Sequence, residues 1–218
     1  MIFYHGSKLV IDKPIAHGSN PRNDYGASFY TTLDLDSAKE WACKNDELGL
    51  VNKYQIRKTE FESLKTLDLT NKEEFSVLNW LAILMHFRDL DSKTQHLYQS
   101  RLTWLERFYI DVEQFDLIKG FRADDSYFAF PLAFLMGQLS LERLQKVFML
   151  GQLGVQYAFN SNRAIKLLKF ASFENVEPKY IGKHYQRIKT ATEEYRNILN
   201  EPINEKETFI TDLMKKYE

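Results

Sequence analysis

Short apolar runs alternate along this chain with longer stretches in which apolar positions return every third or fourth residue, the rhythms of strand and helix. IFYH at residues 2–5, SFYTT at 28–32, LVNKYQI at 50–56, LKTLDL at 64–69, FDLIKG at 115–120 and VQYAFNS at 155–161 are rich in aromatic and β-branched residues and predict strands. Residues 12–26 (DKPIAHGSNPRNDYG) hold two prolines and two glycines among several Asn and Asp. They predict a long loop, and loops of that length often carry function.

Helical spacing dominates elsewhere. Asp36 or Ser37 can cap a helix running through AKEWACK. EEFSVLNWLAILMHF at 73–87 is apolar on nearly every side and predicts a deeply packed helix, and TQHLYQSRLTWLERFY places Leu97, Leu102, Leu105 and Phe108 at helical spacing. Residues 124–150 predict two helices, the first interrupted or kinked near Pro131, the second starting at the capping residue Ser140 with Glu142 in its first turn. NRAIKLLKF predicts a short helix and a strand, and residues 183–218 predict two polar helices separated by Glu201 and Pro202. This order predicts an α+β unit over residues 1–172 with a helical insert at about 73–109, followed by a helical C-terminal extension at 173–218.

Composition narrows the chemistry. With 218 residues, 44% of them apolar, the chain can bury a real core. Lys and Arg number 29 against 30 Asp and Glu, without a basic block, which argues against tight non-specific nucleic-acid binding. The single cysteine, Cys43, excludes an internal disulfide framework and a multi-cysteine metal site, and it fits a reducing compartment. No signal-peptide pattern and no membrane-length apolar run is present, so the expected location is cytoplasmic, with no membrane partner. The histidines at 5, 17, 86, 96 and 184 show no HxxxH or HExxH spacing, and no metal is expected; phosphate-loop and nucleophile-elbow motifs are absent.

Three stretches remain as candidate chemistry. In YHGS, His5 is either an imidazole satisfied at the core edge or a ligand contact; Gly6 lets another group approach the backbone and Ser7 adds a hydroxyl. In DYGASFYTT, Phe29 and Tyr30 face opposite sides of a strand, so one is core and the other either packs or faces a cleft. In VQYAFNSNRA, alternation puts Gln156, Ala158 and Asn160 on one face, and a glutamine on so apolar a strand needs a partner.

In this order, YHGS, YGASFYTT, FDLIKGFRADDSYF and VQYAFNSNRAIKLLKF resemble the motifs of the ADP-ribosyltransferase superfamily, poly(ADP-ribose) polymerase-like branch. They come closer still to a family of uncharacterised bacterial domains related to it, with YHGS, a GxGFYxT strand, an ADD segment and a late QxxFxT strand. The similarity covers residues 1 to about 172, and Ser28 stands where the second motif usually has its second glycine. The resemblance implies a split β-sheet core and NAD as substrate, with no metal. It implies that His5 holds a ribose hydroxyl, Gly6 the nicotinamide carboxamide and Tyr30 the nicotinamide ring, with Ser7 beside them. Arg22 or Arg122 would serve the phosphates.

The late-strand residue, often Glu in that superfamily, is Gln156 here. Glutamine can hold a hydroxyl but cannot act as a carboxylate base. Three readings follow: an acceptor that needs little base catalysis, a carboxylate supplied by Asp124 or Asp125, or an NAD-binding domain with weak chemistry. The ADD segment reads equally as a plain helix N-cap, and Arg22 as a solvated loop side chain. The expected activity is mono-ADP-ribosyl transfer to a macromolecular acceptor (protein, RNA or DNA), which by family analogy suggests a bacterial toxin or phage-defence effector restrained by an antitoxin. The alternative is a non-catalytic NAD or ADP-ribose sensor; an RNA-repair phosphotransferase would call for more basic residues.

Overall fold

Two small β-sheets meet at one backbone bridge, and that junction organises the molecule. The computed structural model describes residues 1–44, 47–88, 90–123, 129–148 and 154–216. The first sheet has strand order β1 (Ile2–Ser7), β3 (Leu50–Gln55), β7 (Lys169–Asn175), all antiparallel. The second has the order β2 (Phe29–Thr31), β6 (Val155–Phe159), β5 (Leu117–Phe121), β4 (Thr66–Asp68), in which β4 and β5 are parallel. Tyr4 and Thr32 exchange both backbone hydrogen bonds, 2.8 and 2.9 Å, and join the sheets there.

The expected strands all form, with shifted edges. β1 runs through Gly6 to Ser7, two residues beyond the expected end at His5, because Val51 and Leu50 of β3 pair with Gly6 and Ser7. The first helix, α1 (Leu35–Ala42), starts earlier than either proposed cap: Asp34 is its N-cap, accepting the Ser37 N–H at 2.6 Å, and Asp36 lies inside the first turn. A short α2 (Lys58–Glu62) precedes β4.

The insert forms α3 (Val77–Phe87) and α4 (Ser92–Leu105). Leu97 does not continue the apolar row expected of α4. Tyr98 leaves helical geometry (φ −114°, ψ 18°), and Leu97 is 62% exposed. Pro131 lies within α5 (Ala129–Leu135), which runs unbroken to Leu135; residues 124–128 before it lie outside the described residues. α6 (Leu141–Val147) is capped by Ser140 as its sequence signals, and α7 (Asn162–Leu167) by Ser161.

β7 continues to Asn175, past residue 172, before α8 (Lys183–Asn200) and α9 (Ile210–Lys216). Those last helices are built into the molecule: Ala191, Ile198, Ile210 and Leu213 share one buried cluster with Leu81, Trp104, Phe134 and Leu144 of the insert and the following helices. A second cluster, including Phe3, Tyr54, Leu117 and Phe159, lies where the two sheets face each other, and a third packs α3 onto the second sheet through Ile83, Leu84, Ile118 and Ala158. Among the described residues no helix is long and apolar enough to cross a membrane.

Candidate functional site

The sheet junction opens into a cavity of about 530 Å³, a size usual for small-molecule sites. β1 contributes His5 and Gly6, β2 contributes Tyr30, β6 contributes Gln156, and the 12–26 loop forms one wall with Lys13, Ser19 and Asp24. Residues far apart in sequence therefore share one cavity: His5, Gly6, Tyr30, Arg122 and Gln156, all singled out by pattern, line it together. Ser7 and Arg22 do not. Ser7 accepts hydrogen bonds from the Leu9 N–H and the Asn52 amide, fixing the turn after β1, and Arg22 is exposed on the loop. Asp124 and Asp125 lie outside the described residues.

The local chemistry of each side chain follows from its partners. His5 stacks on Phe29 with ring centroids 4.6 Å apart, and its Nδ1 lies 2.6 Å from the Tyr30 carbonyl oxygen. A carbonyl can only accept, so Nδ1 carries the proton and Nε2 keeps its lone pair. Burial lowers the His5 pKa from 6.5; the Tyr30 carbonyl opposes this, and the Arg122 charge adds to it. The ring is neutral at pH 7, a hydrogen-bond acceptor rather than a cation.

Tyr30 spends its hydroxyl locally, donating to the Gly26 carbonyl at 2.7 Å and accepting the Tyr25 N–H at 3.0 Å, so only its ring is left for a ligand. Ser28, fully buried, donates to Asn160 Oδ1 at 3.0 Å. Asn160 in turn donates to the Val112 carbonyl at 3.0 Å, so this serine anchors β2 to the end of β6. Gly6 is needed for packing as well: a Cβ there would overlap the Ala38 carbonyl oxygen and lie 2.8 Å from the Ala42 nitrogen, so the group that approaches its backbone is α1. α1 also carries Trp41, over whose ring the Arg122 guanidinium sits at 3.9 Å on the cavity wall.

Pattern reading missed Asp24 and Arg88. Asp24 accepts three hydrogen bonds: from Arg88 at 2.7 Å, from the Ala123 N–H at 2.8 Å and from Gln156 Nε2 at 2.8 Å. Burial raises its carboxyl pKa, opposed by the Arg88 charge and by these donors. Asp24 is thus the partner that a glutamine on an apolar strand requires. No local signal marks it, because Arg88 is 64 and Gln156 132 positions away. Among the described residues lining the cavity, Lys13, Lys44, Arg88 and Arg122 outnumber this one carboxylate, which favours anionic ligands. No group of His, Cys, Asp and Glu among the described residues is arranged to hold a metal ion.

The folded chain binds the His5 proton more weakly than the unfolded chain does, so the stability tied to the neutral ring is lost as pH falls below about 6.5. Between pH 7 and pH 5 the wild-type melting temperature should fall more steeply than that of H5Q, which lacks this titration. Parallel slopes would mean that His5 titrates as it does in water.

A family model described as "Protein of unknown function (DUF3990)" matches residues 1–170. No curated protein and no solved structure matches the chain.

Proposed function

The chain belongs to the DUF3990 family, described as of unknown function, and from its cavity we propose that it is an NAD-dependent mono-ADP-ribosyltransferase acting on a macromolecular acceptor. The observation that carries this reading is the convergence of His5 and Gly6 of β1, Tyr30 of β2 and Gln156 of β6 on one cavity at the sheet junction. They occupy the strands on which the motif resemblance would put the NAD-binding residues.

In this reading the Tyr30 ring and the Gly6 backbone hold the leaving nicotinamide, while His5 Nε2 and Gln156 Oε1 accept ribose hydroxyls. The bond from nicotinamide nitrogen to ribose breaks with its electron pair leaving on nicotinamide. The acceptor nucleophile adds to the oxocarbenium-like carbon, and its proton goes to solvent. Arg122 and Lys44 offer positive charge to the pyrophosphate.

One observation favours the sensor alternative. The only carboxylate among the described lining residues, Asp24, is already engaged by three donors and is not placed as a free base. Incubation with labelled NAD and a lysate separates the two. A transferase releases nicotinamide and labels an acceptor that protease or nuclease digestion then classifies, whereas a sensor binds NAD and releases none. H5A should lose about 10- to 100-fold in NAD turnover, the worth of a hydrogen bond lost in a buried site. Unchanged turnover in H5A would remove His5 from the assignment.

A further inference from the structure

Gln156 is held in a single orientation by a device that spans the molecule. Its amide faces two acceptors, Asp24 Oδ2 at 2.8 Å and the Phe121 carbonyl at 3.3 Å, and only the nitrogen end of an amide can satisfy both. Oε1 is left as the polar atom for the cavity that Gln156 lines.

Asp24 is itself firmly placed, with 4% of its surface exposed. The next residue, Tyr25, donates to the same Phe121 carbonyl at 2.6 Å and accepts from Trp80 Nε1 at 2.7 Å. Gly120, paired with Gln156 across the sheet, has no Cβ, and one there would overlap the Tyr25 hydroxyl. On its other oxygen Asp24 holds Arg88, and on this one it also holds the Ala123 N–H.

We infer that Asp24 is the positioning residue of this cavity: it locks the Gln156 amide with nitrogen inward and oxygen toward the ligand, so that the site selects a ligand presenting a hydroxyl donor at β6. That this hydroxyl belongs to a ribose of NAD rests on the proposed function; the lock itself does not.

Two variants at position 24 test it. D24A removes the acceptor that faces the Gln156 amide and frees that amide to turn. D24N is the conservative control: with its nitrogen toward Arg88 its oxygen still accepts from the Ala123 N–H and Gln156 Nε2, so it gives up the charge and the Arg88 contact but keeps the lock.

Two readouts on the full chain decide the matter. The Gln156 side-chain NH₂ signal in ¹H–¹⁵N spectra, identified by its loss in Q156E, should be protected from exchange in the wild type and in D24N and lose that protection in D24A. NAD affinity by calorimetry should fall about 10- to 100-fold in D24A and stay within about threefold of the wild type in D24N. A purely structural role for Asp24 would lower thermal stability and affinity together in both variants. An unprotected Gln156 amide in the wild type, or a D24N that loses as much affinity as D24A, overturns the inference. Should D24A fail to fold, a protected amide and wild-type-like affinity in D24N support the inference and the loss of either overturns it. A protected amide that responds to D24A in a chain that binds no NAD would sink the proposed function and leave the positioning role standing.

Discussion

Changing Gly6 to alanine (G6A) should lower the melting temperature by about 6–12 °C, the equivalent of roughly 3 kcal/mol in a chain of this size, and, on the proposed function, weaken NAD binding with it. The new methyl group meets backbone on α1, the Ala38 carbonyl and the Ala42 nitrogen, and backbone cannot rotate aside as a side chain can. A second glycine tightens the same contact: at Gly49, just before β3, a Cβ would meet the Ala42 carbonyl and lie 2.7 Å from the Ser7 carbonyl oxygen. α1 must therefore lift away from β1 and β3, uncovering Ala38, Ala42 and Val51, each at most 2% exposed. Trp41 moves with the helix, and Arg122 loses the ring it rests on at the cavity wall. Differential scanning calorimetry checks the first effect and NAD titration the second. A melting temperature within about 2 °C of the wild type would mean that α1 does not press on this strand.

Gly6 also illustrates what sequence pattern can and cannot disclose. That a backbone must be approached closely at HGS is legible from the residue type, but the identity of the approaching group is not, because it depends on where α1 packs. Strand and helix positions were legible wherever the period was long and the caps orthodox, as at α6 behind Ser140 or β6 through VQYAF. They slipped where a neighbour overruled the local signal: pairing with β3 extends β1, and Asp34 rather than Asp36 or Ser37 caps α1. His5, Tyr30 and Gln156 were found because each sits on a patterned strand. Asp24 lay hidden among the many polar residues of a loop, and nothing local distinguishes it from Asn20 or Asn23; its meaning comes from Arg88 and Gln156, which only the fold brings near. Arg143 was hidden for the same reason, inside a helix recognised for its cap.

Replacing Arg143 with methionine (R143M) should cost about 3–5 kcal/mol, as expected when one partner of a buried charge pair is removed, and should loosen the last two helices first. Arg143 is 5% exposed and donates to the Ile198 carbonyl at 2.9 Å, to those of Glu201 and Pro202 at 2.9 and 3.0 Å, and to Glu207 Oε1 at 2.9 Å. One guanidinium on α6 thereby satisfies the carbonyls where α8 ends and pairs with the carboxylate that leads into α9. Methionine fills much of the volume but supplies no donor, so the carbonyls and Glu207 lose their partner together. Hydrogen exchange should show the amides of α8 and α9 opening before those of the β-sheets, because the shared cluster of Ala191, Ile198, Ile210 and Leu213 depends on this turn. The pH dependence gives an internal check. The Arg143 hydrogen bond foremost, with the Asn204 N–H, Ser140 and the Arg143 charge, lowers the Glu207 pKa from 4.5 to about 2 against the opposing effect of desolvation, so the stability these contacts provide is fully present above about pH 4.5 and is lost as pH falls toward 2. The stability gap between wild type and R143M should therefore narrow over that interval. A gap that stays constant down to pH 2 would mean that Arg143 acts through the carbonyls alone and that its pairing with Glu207 contributes nothing.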